Sequence, residues 1–235
     1  MTLLLPGPVA SGYNVLPAPV LAYNFTETGT TVIDRTGNGN NATMRNNTTA
    51  TDLHSGGELL ISATQHNLIY TPTVKPTSNA SFACTVRIPA GSTTPKGSIW
   101  SLMNASDTSG FNVDLRTDFR PEFVCRGATG VAILSPGYTA FAANTTYQIC
   151  ATYVSGFTRF YVNGVEVTAG QGVGSPQTAA TGNLNITGTD WIMGFNALNP
   201  NVPYGSPIAF DNVRFWHVTL TAAQVAYVAA NPTVN

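Results

Sequence analysis

Hydrophobic and polar side chains alternate along several short stretches of the chain, with a period of two residues. This period places every second side chain on the same face of an extended backbone, as in a half-buried β-strand. Three hydrophobic faces are predicted in this way, formed by Leu21, Tyr23 and Phe25, by Phe82, Cys84, Val86 and Ile88, and by Tyr147, Ile149, Ala151 and Tyr153. The pattern therefore predicts short strands separated by turns.

A two-residue hairpin is predicted between residues 158 and 167. Asn163-Gly164 lies between two alternating runs, and Asn-Gly is the preferred pair for a type I′ turn because both positions need a positive φ. The register of this hairpin places Val162 opposite Val165.

One short helix is predicted near the end of the chain. Thr221-Ala-Ala-Gln224 matches a capping box, in which the first and fourth residues cap each other's backbone amide. Val225 and Val228 supply the hydrophobic stripe, and Asn231-Pro232 ends the helix.

Residues 1–19 contain four prolines and two glycines, which favour extended backbone and exclude a central strand. We expect an extended N-terminal arm that packs either along its own domain or on a neighbouring subunit. The Asn-, Thr-, Gly- and Pro-rich stretches at 36–51, 168–190 and 196–207 are expected to form long surface loops.

The composition supports an all-β protein with an uncharged polar surface. Only 9% of the 235 residues are charged, against about 25% in typical soluble domains, whereas there are 33 Thr and 21 Asn. Ten Lys and Arg against 11 Asp and Glu leave too little positive charge for a nucleic-acid interface. No hydrophobic run approaches the ~20 residues needed to span a bilayer, so membrane insertion is not expected.

The three cysteines, Cys84, Cys125 and Cys150, are far apart and odd in number. We expect reduced, strand-borne thiols that pack as small hydrophobic groups, although one pair could still form a disulfide. The first 34 residues lack a basic residue and Pro6 interrupts their leucine run, so a cleavable signal peptide is not expected.

Taken in order, the motifs resemble the laminin G-like, concanavalin A-like lectin and glucanase family. They are an opening strand at 21–27, an Asp-x-Thr-Gly-Asn-Gly loop at 34–39, a central hairpin region at 144–165, and a closing strand and helix at 205–225. The resemblance implies that residues 20–235 fold as a two-sheet antiparallel jelly-roll sandwich with one short C-terminal helix.

The loop after the opening strand is a candidate calcium site. Asp34, Asn38 and Asn40 supply oxygen ligands between glycines, and calcium prefers several carboxylate, amide and backbone oxygens. In jelly rolls similar to this one, the opening loop lies near the closing strand, which would add Asp211. The alternative is that Asp34 and Asn38 form Asx-turns and that Asp211 accepts hydrogen bonds from backbone amides.

A saccharide site would combine an aromatic platform with uncharged amide partners. The candidates are Tyr138, Trp191 and Tyr204, in or beside Gly-, Asn- and Pro-rich loops, with the amides of Asn196 and Asn199. The alternative is that Trp191 packs in the core next to Ile192 and that Tyr204 anchors a loop.

Catalysis is not expected. Glycoside hydrolysis needs two carboxyl groups about 5–9.5 Å apart, whereas Glu27, Glu58, Glu122 and Glu166 are distant in sequence and form no Glu-x-Asp-x-Glu strand motif.

Two non-catalytic functions follow from these observations. The first is a surface component of a virus particle, such as a bacteriophage decoration or fibre protein, docked on other subunits through residues 1–19 and part of a homo-oligomer or larger assembly. The second is a carbohydrate-binding or adhesion module of a secreted or cell-surface protein. Location on a virion surface is expected for the first, and an extracellular location for the second.

Overall fold

A computed structural model of the chain describes the parts of the sequence that form the sandwich and its helix. The described residues are 15–45, 54–55, 57–61, 67–70, 75–76, 78–92, 97–103, 110–116, 118–134, 139–167, 178–184, 186, 191–193 and 208–233.

Two antiparallel sheets of eight described strands each form the domain. The first sheet runs in the order β13-β12-β11-β7-β16-β5-β4, and β1 pairs with β16 beside β5. Its strands are β1 (Leu21–Tyr23), β4 (His54–Ser55), β5 (Glu58–Ile61), β7 (Asn79–Arg87), β11 (Thr146–Val154), β12 (Phe157–Val162), β13 (Val165–Glu166) and β16 (Ile208–Trp216).

The second sheet runs in the order β14-β10-β9-β8-β15-β6-β3-β2. Its strands are β2 (Thr31–Val32), β3 (Ala42–Arg45), β6 (Asn67–Tyr70), β8 (Gly97–Met103), β9 (Gly110–Leu115), β10 (Pro121–Leu134), β14 (Thr178–Leu184) and β15 (Trp191–Met193).

The hydrophobic core lies between the two sheets. All three hydrophobic faces predicted from the sequence belong to it. The strand periodicity is confirmed in β7 and β11, whereas β1 ends at Tyr23 and Phe25 lies beyond it with a φ of 49°. Its centre is aromatic, because Trp100 of β8 stacks on Phe82 at 4.5 Å and on Phe215 at 6.0 Å, measured between ring centroids. Aromatic side chains of this size stabilise the packing of one sheet on the other through both buried area and ring contacts.

The hairpin and the helix are also confirmed. Val162 and Val165 are register partners, and Asn163 and Gly164 have φ angles of 51° and 77°. The helix α1 (Ala222–Ala230) begins after Thr221, which forms the reciprocal capping box with Gln224.

Helix α1 packs on the outer face of the first sheet, away from the core. Val225 and Val228 contact a second hydrophobic cluster that the strands contribute. The strand residues in this cluster are Ala83, Cys150, Tyr161 and Trp216. Helix and sheet thus bury a hydrophobic stripe that neither could bury alone.

The cysteines are free thiols, as expected, and all three are buried. Cys84 belongs to the core between the sheets, whereas Cys150 belongs to the outer cluster under α1. Burial raises the pKa of each thiol well above its ordinary value, because the thiolate would lose its hydration.

Two stretches expected to be loops contain strands, so that part of the prediction was wrong. Residues 42–45 form β3, in which Ala42 and Met44 are buried. Residues 178–184 form β14, which lies at an edge of the second sheet and pairs with β10 through two register shifts. An edge strand can be built from Thr, Ala and Gly because one of its sides needs no partner strand.

The described end of the N-terminal arm packs on its own domain. The Nε1–H of the buried Trp216 donates to the carbonyl of Pro17 at 2.8 Å, and the Nε2 of Gln224 donates to that of Val15 at 3.1 Å. Residues 1–14 lie outside the described residues. Within the described part of the chain, no helix has the length and hydropathy of a membrane span.

Candidate functional site

The Asp34 carboxylate is buried and closes the loop that follows β2. Its Oδ1 accepts the amide hydrogens of Ala22 at 3.0 Å and of Thr36 at 3.1 Å, and its Oδ2 accepts that of Asn40 at 3.0 Å. The Thr36 hydroxyl lies 2.8 Å from both oxygens. The carboxylate therefore organises the backbone of the loop, in the manner of an Asx-turn.

The two asparagines of the same loop bind the residue that precedes β1 rather than one another. Nδ2 of Asn38 and Nδ2 of Asn40 both donate to the carbonyl of Val20, at 3.1 and 2.6 Å. The backbone carbonyl of Asn40 accepts the Tyr23 hydroxyl at 2.6 Å. These contacts fix the loop, here called the Asp34 loop (residues 34–40), against the start of the first sheet.

Asp211 has a separate set of partners on the outer face of the first sheet. It accepts the backbone and side-chain amide hydrogens of Asn212, and its register partner across β7 is Thr85. Burial raises its pKa to about 6; the nearby Glu58 adds to the shift and the Asn212 backbone amide opposes it.

The geometry does not assemble a calcium ligand set from these four residues. Both oxygens of Asp34 already accept hydrogens from N–H and O–H groups, whereas calcium ligands must present free lone pairs. Among the described residues, no three His, Cys, Asp or Glu side chains cluster as metal ligands would. Calcium binding stays a prediction that this arrangement does not favour.

The predicted saccharide residues fall largely outside the described structure. Tyr138, Asn196, Asn199 and Tyr204 lie outside it altogether. Trp191 begins β15 and pairs with Tyr70 of β6, but its side chain is not among those described. Their role in binding stays a prediction.

A cleft that the sequence did not predict lies beside the Asp34 loop. It has a volume of about 680 Å³, within the 300–1,000 Å³ range of small-molecule sites. Three segments distant in sequence form its walls: the N-terminal segment, the Asp34 loop, and the end of α1 with the residues that follow. The lining residues are Leu16, Ala18, Pro19, Ala22, Arg35, Thr36, Asn38, Arg214, Tyr227, Ala230, Asn231, Pro232 and Thr233. We call this the Arg214 cleft.

Arg214 is a charged residue built into the sheet beneath the cleft. It pairs with Ala22 across β1 and β16, and it is only 7% exposed. Its Nη2 donates to the carbonyls of Asn231 at 3.1 Å, Pro232 at 2.6 Å and Thr233. These bonds tie the chain after α1 to the sheet.

The guanidinium of Arg214 has no carboxylate partner among the described residues. Burial lowers its pKa from the ordinary value, because hydration is lost; the nearby Tyr227 opposes this shift only in part. In the same described part of the chain, no acceptor takes the hydrogens on its Nε and Nη1. Two of the three guanidinium nitrogens therefore remain available.

The other charged residue among those that line the cleft, Arg35, is already neutralised. It forms an ion pair with Glu27, and it donates to Asn24 at 2.9 Å and to Thr26 at 2.8 Å. It holds the wall in place and does not leave an unbalanced charge.

Tyr227 provides an exposed aromatic ring on the opposite wall. It lies on α1, is 57% exposed, and its backbone carbonyl accepts the amide of Asn231 at 2.9 Å to end the helix. The ring is therefore carried by a fixed backbone. A partly exposed tyrosine offers a flat apolar face and a polar hydroxyl to a ligand.

The sequence held only weak signals for this cleft. Arg214 stood out as a charged residue in the hydrophobic closing strand, and Tyr227 lies beside the predicted stripe of the helix. Nothing in local spacing joins residues 16–19, 35–38 and 227–233.

Solved structures similar to this chain include toxin binding domains. The binding domain of Paraclostridial Mosquitocidal Protein 1 aligns with a TM-score of 0.70 at 12% identity, covering 91% of this chain and 52% of that one. The receptor-binding domain of botulinum neurotoxin mosaic serotype C/D aligns with a TM-score of 0.65 at 13% identity, covering 91% and 51%.

A third similar structure is described as showing that cell entry of botulinum neurotoxin type C depends on interaction with two ganglioside molecules. It aligns with a TM-score of 0.66 at 10% identity, covering 92% of this chain and 52% of that one. The chain thus spans about half the length of these structures, and at such identities the likeness shows the fold.

No curated protein matches the chain in sequence. The family profile described as the concanavalin A-like lectin/glucanases superfamily matches residues 62–226, which is more than half of the chain. With its two antiparallel sheets, aromatic core and closing helix, the chain belongs to the concanavalin A-like lectin/glucanase superfamily.

Proposed function

We propose that the protein is a non-catalytic binding module that holds a saccharide in the Arg214 cleft. The observation that carries this proposal is that one cleft is lined by an exposed ring, Tyr227, and by Arg214, whose Nε and Nη1 have no acceptor among the described residues. A sugar ring presents both an apolar face of C–H groups and a rim of hydroxyls. The two walls of the cleft complement these two features.

The lining chemistry supports binding without catalysis. The described residues that line the cleft include no Asp, Glu, His, Cys, Ser or Lys. Glycoside hydrolysis requires two placed carboxyl groups, and general acid–base catalysis requires a group that exchanges protons near neutral pH. The lining therefore offers hydrogen-bond donors and an aromatic surface, which suit recognition.

The similar toxin domains give independent support for a recognition role, and with it for an extracellular location. One is described as a receptor-binding domain and another through its interaction with ganglioside molecules. The fold shared with them leaves loops and sheet edges free to carry binding groups.

The experiment is a glycan array on the full chain, followed by calorimetric titration of each glycan that binds. Substitution Tyr227→Ala should weaken binding at least tenfold, because it removes the stacking surface. Phe157→Ala is the matched control: Phe157 is another exposed aromatic, at 65%, on the outer face near the start of α1 and outside the cleft lining.

Trp191→Ala tests the alternative site expected from the sequence. If Trp191→Ala abolishes glycan binding and Tyr227→Ala leaves it unchanged, the saccharide site is the predicted loop site and not the Arg214 cleft. An array without any bound glycan would contradict the proposed function.

We also propose, as a finer role for the same module, that it is displayed on a virus particle through its N-terminal arm. The supporting observation is that residues 15–19 are fastened to the domain by Trp216 and Gln224, so the preceding residues leave from a fixed point. Deleting residues 1–14 should convert a self-associating or particle-bound protein to a monomer in analytical ultracentrifugation. Equal assembly of the full and shortened chains would refute the role of the arm.

A further inference from the structure

We infer that the Arg214 cleft selects a saccharide bearing a single negative charge, a carboxylate on a sugar acid. This inference rests on the proposed function and names the ligand class for the same site. It follows from the charge balance of the cleft, from the donors that Arg214 leaves open, and from the position of that residue beneath the cleft.

The charge balance leaves one positive charge unmatched. Of the two arginines that line the cleft, Arg35 is paired with Glu27, whereas the partners of Arg214 among the described residues are backbone carbonyls. A carbonyl contributes a dipole and no net charge. One unmatched guanidinium balances one carboxylate, whereas a phosphate dianion would leave an excess of negative charge.

The burial of Arg214 strengthens the interaction of its charge with a bound anion. Arg214 is more than nine-tenths buried, so a ligand anion beside it interacts through a medium of lower dielectric than bulk water. Hydrogen bonds between charged groups are also about twice as strong as those between neutral ones. The hydrogens on Nε and Nη1 supply such bonds without breaking the three that Nη2 already makes.

The neighbouring carboxylate does not fill this role. Asp34 lies on the other side of Ala22, and its two oxygens accept hydrogens from the Asp34 loop and from Ala22 itself. The remaining polar groups of the lining, such as Thr36 and Asn38, are uncharged and suit the hydroxyls of the same ligand.

The test uses a matched chemical pair, so that no variant of Arg214 has to fold. The full chain is titrated with sodium glucuronate, with its methyl ester and with glucose, while backbone amide signals and the Arg214 Nε–H signal are followed by NMR. We expect the acid to bind at least tenfold more tightly than the ester, with shifts at the backbone amides of residues 36–38, 231 and 233 and at the Arg214 side chain. Inorganic phosphate and sulfate, titrated separately, should bind more weakly than the acid.

Variants then locate the effect. Tyr227→Ala should weaken the acid and the ester by the same factor, since stacking does not depend on charge, whereas Arg214→Lys should reduce the ratio between them. Arg159→Gln is the control, because Arg159 is an exposed arginine paired with Glu166 on the outer face, and it should change neither affinity.

Each other outcome overturns the inference in a distinguishable way. Equal binding of acid, ester and glucose in the cleft would refute the charge selection and leave the proposed function standing. Tighter binding of phosphate or sulfate than of the acid would refute the sugar acid as ligand. Shifts confined to residues outside the cleft would refute the site, and no binding by any saccharide, on the array or here, would refute the proposed function as well.

Discussion

Asp34 and Arg214 lie on either side of Ala22, yet their hydrogen bonding differs completely. Asp34 accepts the amide hydrogen of Ala22, and Arg214 is the register partner of the same residue in β16. Both side chains are buried and both carry a full charge. The carboxylate uses both of its oxygens within the protein, whereas the guanidinium uses one nitrogen and leaves two without a described acceptor.

This difference in hydrogen bonding indicates that Asp34 has a structural role, whereas Arg214 is available to bind a ligand. A buried ion whose hydrogen bonds are complete stabilises the chain around it, because its desolvation is offset inside the protein. A buried ion with incomplete hydrogen bonds is costly unless water or a ligand completes them. Calcium was expected at the first of these residues, but the second is the better candidate for a binding group.

The largest predicted effect is on the structural side of this comparison. Asp34→Ala removes the acceptor for the amides of Ala22, Thr36 and Asn40, and should lower the free energy of unfolding by about 3 kcal/mol. Urea denaturation measures it. The control, Asp118→Ala, removes an exposed carboxylate in a turn and should cost less than about 1 kcal/mol.

Thermal denaturation of the wild-type protein tests the calcium expectation. Because the Asp34 oxygens are already hydrogen-bonded, the wild-type protein should have the same melting temperature in calcium and in EDTA. A rise of several degrees in calcium would show that the Asp34 loop is a metal site and would contradict the structural interpretation.

The next largest predicted effect on stability concerns the N-terminal segment, residues 15–19, which forms one wall of the Arg214 cleft. Trp216→Phe removes the Nε1–H bond to Pro17 and part of a fully buried side chain, and should cost about 2 kcal/mol. Because residues 15–19 would be held less firmly, the substitution should also speed proteolytic cleavage within this segment. Trp100→Phe makes the same change inside the sandwich, so it should lower stability without exposing the segment; equal proteolysis of both variants would contradict the attachment.

The sandwich itself could be predicted because its signals are local. The alternation in residues 81–88 and 147–154, the Asn163-Gly164 turn and the Thr221 capping box are each complete within ten residues. Their order along the chain then identified the family. Strand β14 escaped prediction because an edge strand of Thr, Ala and Gly lacks the hydrophobic alternation of a buried one.

The cleft could not be predicted because no local pattern describes it. Arg214 and Tyr227 come from the strand and helix that close the fold, and their opposite walls come from residues before position 40. Only the tertiary structure shows that both Asp34 oxygens accept hydrogen bonds, while two nitrogens of Arg214 have no acceptor in the described part of the chain. The sequence could name both residues as charged or polar, but hydrogen-bond completion is a property of the folded chain.

Asp211 is a third ionisable residue to compare with Asp34 and Arg214, and it lies on the same strand as Arg214. Its folded-state pKa of about 6 lies above the ordinary value of 3.8, so the folded protein favours the protonated carboxyl. The group therefore costs nothing below about pH 4, and it destabilises the fold increasingly as the pH rises through about 6. Because solvent reaches the half-buried side chain, the cost is about 1–2 kcal/mol.

Asp211→Asn should remove this pH dependence. The variant and the wild type should be equally stable at pH 4, and the variant should be more stable by about 1 kcal/mol at pH 8, as measured by urea denaturation at each pH. A variant less stable than the wild type at pH 8 would show that the ionised Asp211 is stabilised by a partner.

The smallest effect sharpens the account of the Asp34 loop. Tyr23→Phe removes one hydrogen bond, from the hydroxyl to the carbonyl of Asn40 at 2.6 Å, and should cost about 1 kcal/mol while the Asp34 bonds remain. Tyr153→Phe removes a similar bond, to the carbonyl of Gly182 at 2.7 Å, and should cost about the same. Only the first should shift the backbone amide signals of residues 34–40. If Tyr23→Phe broadens or removes those signals as strongly as Asp34→Ala does, the Asp34 loop depends on Tyr23 as much as on its own carboxylate. The contrast between Asp34, whose hydrogen bonds are sufficient to hold its loop, and Arg214, whose donors remain available to a ligand, would then be wrong.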